Sequence, residues 1–235
     1  MLIWEGPSRH RHKGKRGLIQ AILTGYKPAN LSRNRKTGPM VQLWIVPRDV
    51  RPSEAAQTGA DSSVCALCSR RHLLAKKRGV AVCYETLVHG PNAVWKSHRG
   101  HVADLSQAFD AAPIIRAFGL RFGAWGDPAL LPEKVLRFLF DLSGGRHTGY
   151  THCWRLKGVQ WLKEYFMASV DNLDELQAAQ AMGWRTFRGR TKDLPIVAGE
   201  WQCPAAKEIE VKTKQCWNCL QCNGGSGVHI SLEEH

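Results

Sequence analysis

Long apolar runs are missing from this chain. No hydrophobic stretch reaches the length of a bilayer-crossing helix, so a membrane span is not expected. The opening residues Met1-Leu2-Ile3-Trp4 lack the apolar segment of a secretion signal and lead straight into basic, histidine-bearing sequence, which places the expected protein in the cytoplasm. Acidic residues are scarce in one part of the chain. Residues 1–100 carry 18 Lys and Arg against 5 Asp and Glu, while residues 101–235 carry 15 of each, so the whole net charge of +13 lies in the N-terminal portion. That asymmetry points to a polyanionic partner, most often nucleic acid; a solvated basic tail is the plainer reading. A dense carboxylate group, a Walker loop and a Ser-His-Asp signature are also lacking, which removes the usual grounds for a hydrolase or nuclease. The glycine-rich run Gly224-Gly225-Ser226-Gly227 has neither the lysine nor the following helix of a phosphate cradle, and reads as a loop giving the backbone room beside Cys222.

What is present is cysteine, eight in all, and seven of them fall into two groups. Cys65-Ala-Leu-Cys68 is followed by Cys83, and Cys203-Pro204 is followed by Cys216-x-x-Cys219-x-x-Cys222. In a reducing compartment, clustered cysteines at C-x-x-C spacing are metal ligands more often than disulfides. The second group crowds three thiolates onto one small loop and adds a remote one followed by proline, the pattern of a 4Fe-4S cluster. Zinc remains the alternative, although tetrahedral zinc sites favour two separated pairs. The first group offers three thiolates, Cys65, Cys68 and Cys83, which would leave one iron of such a cluster open for chemistry. A fourth ligand from Cys153, His72 or His152 would instead close the site and make it structural. Cys153 alone is equally a buried packing residue. His10 and His12 belong to a basic arm over residues 5–17 that is expected to be flexible.

With 43% hydrophobic residues and nine tryptophans among 235 residues, the chain can build a sizeable core. Met40–Val46 reads as a strand ended by Pro47, and residues 51–64 read as a loop. Helices are expected at Pro91–Val102, Ala112–Phe118, Pro132–Leu142, Val159–Lys163 and Asn172–Met182. Strands are expected at Leu120–Trp125, His147–His152, Tyr165–Val170, Trp184–Arg188 and Pro195–Gly199. Alternating strands and helices predict an α/β fold, either a partial (βα)6-type barrel or an open parallel sheet. In either arrangement reactive residues gather at the C-terminal strand ends. Asp127, His152, Cys153, Ser169, Asp171, Arg188, Arg190 and Cys203 all follow or end expected strands. Read singly, Asp127 is a turn residue and Asp171 a helix cap. The organisation expected is a basic N-terminal extension over residues 1–50, a core over 51–202 with the first cysteine site, and a cysteine-cluster segment over 203–235.

Several of these motifs resemble a family. Arg121-Phe-Gly-Ala-Trp-Gly-Asp-Pro128, His147-Thr-Gly-Tyr-Thr-His152, Met167-Ala-Ser-Val-Asp171, Gly183-Trp-Arg-Thr-Phe-Arg188 and the Cys203-Pro…Cys216…Cys219…Cys222 ending are together similar to the phage- and plasmid-encoded gene product 88-like group of mycobacteriophages and their relatives. The resemblance covers residues 30 to 230 and brings no activity with it. It implies a phage protein located in the host cytoplasm, and a Cys153 that is not an obligatory ligand. More distantly, the layout resembles radical S-adenosylmethionine (SAM) enzymes, with a three-cysteine cluster early in a partial barrel and an auxiliary cluster near the C-terminus. That resemblance implies SAM binding at the open iron of the Cys65/Cys68/Cys83 cluster and its reductive cleavage to a 5′-deoxyadenosyl radical. Asp127, His152, Asp171 and Arg188 would then line the pocket. The sequence departs from the family spacing C-x-x-x-C-x-x-C, having C-x-x-C-x14-C instead.

Two functions follow. One is a radical-SAM-like iron–sulfur enzyme acting on nucleic acid or a nucleotide held by the basic N-terminal portion. The other is a non-enzymatic nucleic-acid-binding protein with structural zinc or iron–sulfur sites, the Lys and Arg of residues 9–36 and 70–78 on phosphates and tryptophans and Tyr26 on bases.

Overall fold

A computed structural model of the chain describes residues 1–11, 14–78, 83, 85–206, 214–225 and 227–233. His12, Tyr84 and Ser226 lie outside the described residues. Two five-stranded sheets organise the fold. The first contains β1 (Leu2–Pro7), β2 (Leu18–Thr24), β3 (Val41–Pro47), β4 (Leu120–Trp125) and β5 (His147–Thr148), side by side in chain order. β1, β2 and β3 pair antiparallel, and β3, β4 and β5 pair parallel. The second sheet has the order β6 (Tyr150–Thr151), β7 (Met167–Val170), β8 (Thr186–Arg190), β10 (His229–Glu233) and β9 (Glu200–Gln202), all parallel. The class is therefore α/β, and the strand order runs from β1 to β9 without joining its ends among the described residues.

Only Gly149 separates β5 from β6. Its N–H donates to Cys222 O at 2.9 Å, and its carbonyl accepts from Met167 N at 3.1 Å. The segment expected as one strand is thus one run of chain serving both sheets. A side chain is excluded at Gly149, because a Cβ would come within 2.4 Å of the Phe166 ring.

Between β3 and β4 lie α1 (Pro52–Thr58), α2 (Ser62–Cys65), α3 (His72–Arg78), α4 (Pro91–Ser97) and α5 (Ala112–Phe118). The crossover from β4 to β5 carries a 3-10 turn at Pro128–Leu130 and α6 (Glu133–Ser143), that from β6 to β7 a 3-10 stretch at Lys157–Glu164, and that from β7 to β8 α7 (Leu173–Ala181). α6 shows why these segments are helical. Val135, Leu136, Leu139, Phe140 and Leu142 form one buried stripe at helical spacing, and Gly144 at φ +54° ends the helix. Each such side chain contributes about 1.5–3 kcal/mol by leaving water. α7 is capped by Asn172, whose Oδ1 accepts from Glu175 N at 2.9 Å. α8 (Cys216–Cys219) lies in the connection from β9 to β10.

Four local expectations differ from the structure. Residues 1–50 are not an extension, since three strands of the first sheet come from them. The expected arm over residues 5–17 begins inside β1, where Glu5, Gly6 and Pro7 pair with Gln20, Ile19 and Leu18. The expected loop over residues 51–64 holds α1 and α2, with Pro52 at the first turn of α1 and Ala55 and Ala56 buried. The expected strand Pro195–Gly199 is a turn, and strand pairing begins at Glu200.

Candidate functional site

The first cysteine group is assembled over the C-terminal ends of the parallel strands. Cys65 ends α2, and a tight turn closed by a 2.9 Å hydrogen bond from Cys68 N to Cys65 O brings in Cys68. Cys83 N donates to Arg70 O at 2.9 Å, which sets the third cysteine beside the other two. All three line one cavity of about 280 Å³, together with His72, Glu85, Trp125 and the Asp61–Arg71 pair. Arg71 anchors this loop, reaching Asp61 Oδ1 at 2.7 Å, Gly59 O at 2.9 Å and Ala66 O at 3.3 Å. Burial pushes the Cys65 thiol well up, and the neighbouring Cys68, Asp61 and Cys83 add to that. Burial likewise pushes the Cys83 thiol up to about 11 and raises the Glu85 carboxyl.

Of the four residues expected to line the pocket, none is in the wall of this cavity, and three of them, Asp127, His152 and Asp171, meet next to Cys68. Asp127, after β4, accepts from Ala129 N at 3.0 Å and Thr151 Oγ1 at 2.8 Å through Oδ1, and from His152 N at 2.8 Å through Oδ2. Its own N–H donates to Val64 O in α2 at 2.6 Å. Asp127 thus ties the ends of β4 and β6 to the cysteine helix, with its carboxylate fully engaged. His152 Nε2 lies 3.8 Å from Cys68 Sγ and 4.0 Å from Asp171 Oδ2. Burial alone would lower the imidazole pKa; the Cys68 sulfur and the Asp171 and Asp127 carboxylates outweigh it and raise it to about 9. Asp171 accepts from Ser69 Oγ and pairs with Arg70 Nε at 3.0 Å. Burial pushes its pKa up, but His152, Ser69 and Arg70 together hold it below the usual carboxylate range.

Arg188 is placed elsewhere. It lies fully buried in β8, with Nε 2.8 Å from Glu200 Oε1 and Nη2 2.5 Å from Glu200 Oε2 and 2.8 Å from Pro195 O. It joins β8 to the segment leading into β9. Arg190 similarly binds Ser231 Oγ, Leu194 O and Gln202 Oε1. Ser169 contributes its carbonyl, which accepts from Trp154 Nε1 at 3.1 Å. Cys153 is fully buried and lines neither cysteine cavity; burial and Asp127 push its thiol well up. His10 N donates to Ser8 Oγ in the hairpin.

The loop bearing Cys216, Cys219 and Cys222 lies at the opposite ends of the strands, and Cys203, which directly follows β9, joins it with its N–H donating to Ser231 O at 2.8 Å. Cys216 N and Trp217 N donate to Lys36 O and Thr37 O, just before β3, at 3.0 and 3.2 Å. The Trp217 ring meets Phe118, just before β4, edge to face at 5.6 Å. Gly224, at φ +81°, backs onto the Tyr165–Phe166 backbone just before β7, where a Cβ would fall 2.3 Å from Phe166 N. Cys203, Cys216, Cys219 and Cys222 line one small cavity of about 20 Å³ with Thr148 and Tyr150. Burial pushes the Cys216 thiol up to about 11 and the Cys222 thiol higher still. Arg185 gathers this loop by donating to the carbonyls of Gln221 at 2.8 Å, Gly225 at 3.3 Å and Val228 at 3.1 Å.

The two loops share a feature that spacing does not reveal. Ala66 at φ +38° and Leu220 at φ +52° are the only non-glycine residues with positive φ among the described residues, and each directly follows a cysteine of its group. Strained backbone of this kind costs on the order of 1–3 kcal/mol and persists where surrounding structure enforces it. Among the described residues, no three Cys, His, Asp or Glu side chains converge as they would around a single metal ion; the thiols border cavities instead. No helix among them is long and apolar enough to cross a membrane. Residues not anticipated from sequence are Ser69, Arg70, Glu85 and the Asp61–Arg71 pair, whose partners lie far off in the chain or in segments read as loop. Comparison with models of known protein families, with curated proteins and with solved structures found no match, so the functional reading rests on the geometry of the two cysteine groups.

Proposed function

We propose that this protein is an iron–sulfur enzyme of radical-SAM-like layout, with Cys65, Cys68 and Cys83 at its reactive site and Cys203, Cys216, Cys219 and Cys222 at an auxiliary one. The observation that carries the reading is the inequality of the two sites. Three thiols border a cavity of about 280 Å³, and four thiols border one of about 20 Å³. The larger volume is close to the lower bound for small-ligand pockets, ~300 Å³. At the first site, thiols arranged around a cavity of this size suit a polynuclear cluster better than one tetrahedral zinc, which draws its ligands to a point.

A 4Fe-4S cluster bound at the first site would supply one electron to SAM. The chain's own residues hold and surround that site. Arg71 fixes the Cys65–Cys68 turn through Asp61, Gly59 O and Ala66 O. Asp127 positions α2 and the His152 backbone. His72, Glu85 and Trp125 give the cavity one imidazole, one carboxyl and one aromatic wall. The partial-barrel form of the parallel strands, the nucleic-acid or nucleotide substrate, and the phage origin with its host-cytoplasm location belong to the same proposal.

A second reading draws on His72 beside the three thiols and on the 3.8 Å approach of His152 to Cys68. Either imidazole as fourth ligand would close the first site, leaving a nucleic-acid-binding protein with two structural zinc or iron–sulfur centres. Anaerobic purification, iron, sulfide and zinc analysis, and EPR of the reduced protein with and without SAM separate the two. Two four-iron clusters, one with a signal that shifts on SAM addition, support the enzyme. Zinc in both sites, or clusters indifferent to SAM, overturn it.

A further inference from the structure

We propose that the tip of the β1–β2 hairpin is a nucleic-acid docking surface that leads its ligand to the first cysteine cavity. The proposal deepens the enzyme reading by naming where its substrate binds, and the binding itself does not depend on which metal the protein holds. Strand directions place the tip. β1 and β2 are antiparallel, β2 and β3 are antiparallel, and β3 runs with β4, so residues 8–17 emerge at the C-terminal ends of the parallel strands. Contacts fix it there. Ser8 N closes the hairpin on Gly17 O at 2.9 Å, Arg9 N donates to Leu130 O at 3.1 Å, and Arg9 Nη2 reaches Gly158 O at 3.2 Å. Gly17 lies against Ser63 in the helix that bears Cys65, with no room for a Cβ, which would fall 2.8 Å from Ser63 Cβ.

The tip presents unspent positive charge. Arg11, Lys15 and Arg16 are exposed and form no ion pair with any described residue; Arg11 reaches only Gly14 O, at 3.3 Å. Lys76 and Lys77 are exposed on α3, one turn beyond His72 of the cavity wall. Two acids of this region are already engaged, Asp61 by Arg71 and Asp171 by Arg70, while Glu85 lies in the cavity wall. Arg51, Lys96 and Arg99 are exposed at α1 and α4, and the remaining exposed cations of the N-terminal portion among the described residues, Lys27, Arg33 and Arg35, belong to the β2–β3 connection. That connection lies at the opposite ends of the strands, where Gln215 Nε2 donates to Arg35 O at 2.9 Å. The β2–β3 cations are therefore remote from the roomy cavity, whereas the hairpin tip adjoins the helix that bears Cys65. Residues 8–17 contain no Phe, Tyr or Trp and no large aliphatic side chain, and their cations outnumber the two imidazoles of His10 and His12, so the tip suits phosphates better than a lipid interior.

The test is fluorescence anisotropy of a labelled single-stranded oligonucleotide of mixed sequence with the full chain, across a salt series. Two variants of equal charge change are compared: Arg11→Glu/Lys15→Glu/Arg16→Glu at the tip and Lys27→Glu/Arg33→Glu/Arg35→Glu at the far end. The tip variant is expected to lose about tenfold or more in affinity near 0.1 M salt, with its log–log salt slope reduced by roughly three. The far-end variant is expected to stay within about twofold of the parent, and both to keep the parent's metal content and melting temperature. Equal losses in the two variants, absence of salt-dependent binding by the parent chain, or binding to phosphatidylserine vesicles in place of the oligonucleotide would each overturn the proposal. A zinc-loaded protein that still binds through the tip would retain it while sinking the enzyme reading.

Discussion

His152 Nε2 stands 3.8 Å from Cys68 Sγ across 84 positions of the chain. The approach brings the end of β6 against the turn that carries two of the three first-group thiols. It also makes the ligand question testable at one residue. His152→Ala is expected to keep the first cluster, with an altered EPR signal, whereas Cys83→Ala is expected to lose it and roughly half of the total iron. Iron analysis and EPR of the two variants check this. Loss of iron in His152→Ala equal to that in Cys83→Ala would make the imidazole a ligand and favour the closed, structural site.

Asp127 is expected to matter for stability before chemistry. Asp127→Asn places an amide against donors that now meet a carboxylate, Ala129 N, Thr151 Oγ1 and His152 N. Leaving one such donor unmatched costs about 1–3 kcal/mol. Urea unfolding should show a loss of that size, together with poorer retention of the first cluster, because the Asp127 backbone also holds α2 through Val64 O.

Arg188 and Glu200 are both buried, and breaking the pair leaves one charge unpaired. Arg188→Ala or Glu200→Ala should destabilise the fold by about 3–5 kcal/mol, while Arg188→Met/Glu200→Leu should recover much of the loss. Any activity per folded molecule should be unchanged, because Arg188 lies with Glu200 and Pro195 rather than at the first cavity. Burial raises the Glu200 pKa and the Arg188 guanidinium more than offsets it, leaving the folded pKa below the ordinary value of 4.5. A depressed carboxylate stabilises above its unfolded pKa. That contribution should be whole at neutral pH and disappear as the pH falls below about 4.5, in the parent but not in Glu200→Gln. Thermal melts at stepped pH read the difference.

Two neighbouring glycines should respond unequally. At Gly224, a Cβ would strike the Phe166 backbone and φ is +81°, whereas at Gly225 the nearest atom to a Cβ is Asn223 Oδ1 at 3.6 Å. Gly224→Ala is expected to cost upwards of ~2 kcal/mol and to empty the second cysteine site, while Gly225→Ala stays within about 0.5 kcal/mol of the parent. Urea unfolding and metal content measured together distinguish the two.

Leu120–Trp125 and the helix after Pro132 were legible in the sequence because alternation, a helical stripe and a glycine stop act locally. Asp127, His152 and Asp171 were legible through one rule, that parallel strands present their C-terminal ends together. The same rule misplaced Arg188, since burial alternates along β8 and turns Thr186, Arg188 and Arg190 inward. α1 was read as loop because Ala55 and Ala56 are too small to show a stripe. β9 was missed because Glu200, a carboxylate, is its buried residue, and its burial depends on an arginine twelve positions away. The Asp61–Arg71 pair and the two strained residues depend on tertiary contacts that no local pattern encodes.

The position of β10 sets an order of assembly. The strands of the first sheet become neighbours in the order in which they are synthesised, and so do β6, β7 and β8. β10 alone enters between two strands already made, β8 on one side and β9 on the other. The segment bearing Cys216, Cys219 and Cys222 leads into that strand. A nascent chain holds Cys65, Cys68 and Cys83, with the strands beneath them, while the later thiols are still being translated. A chain ended before β10 would therefore have the three thiols of the first group in place and lack the strand that joins β8 to β9.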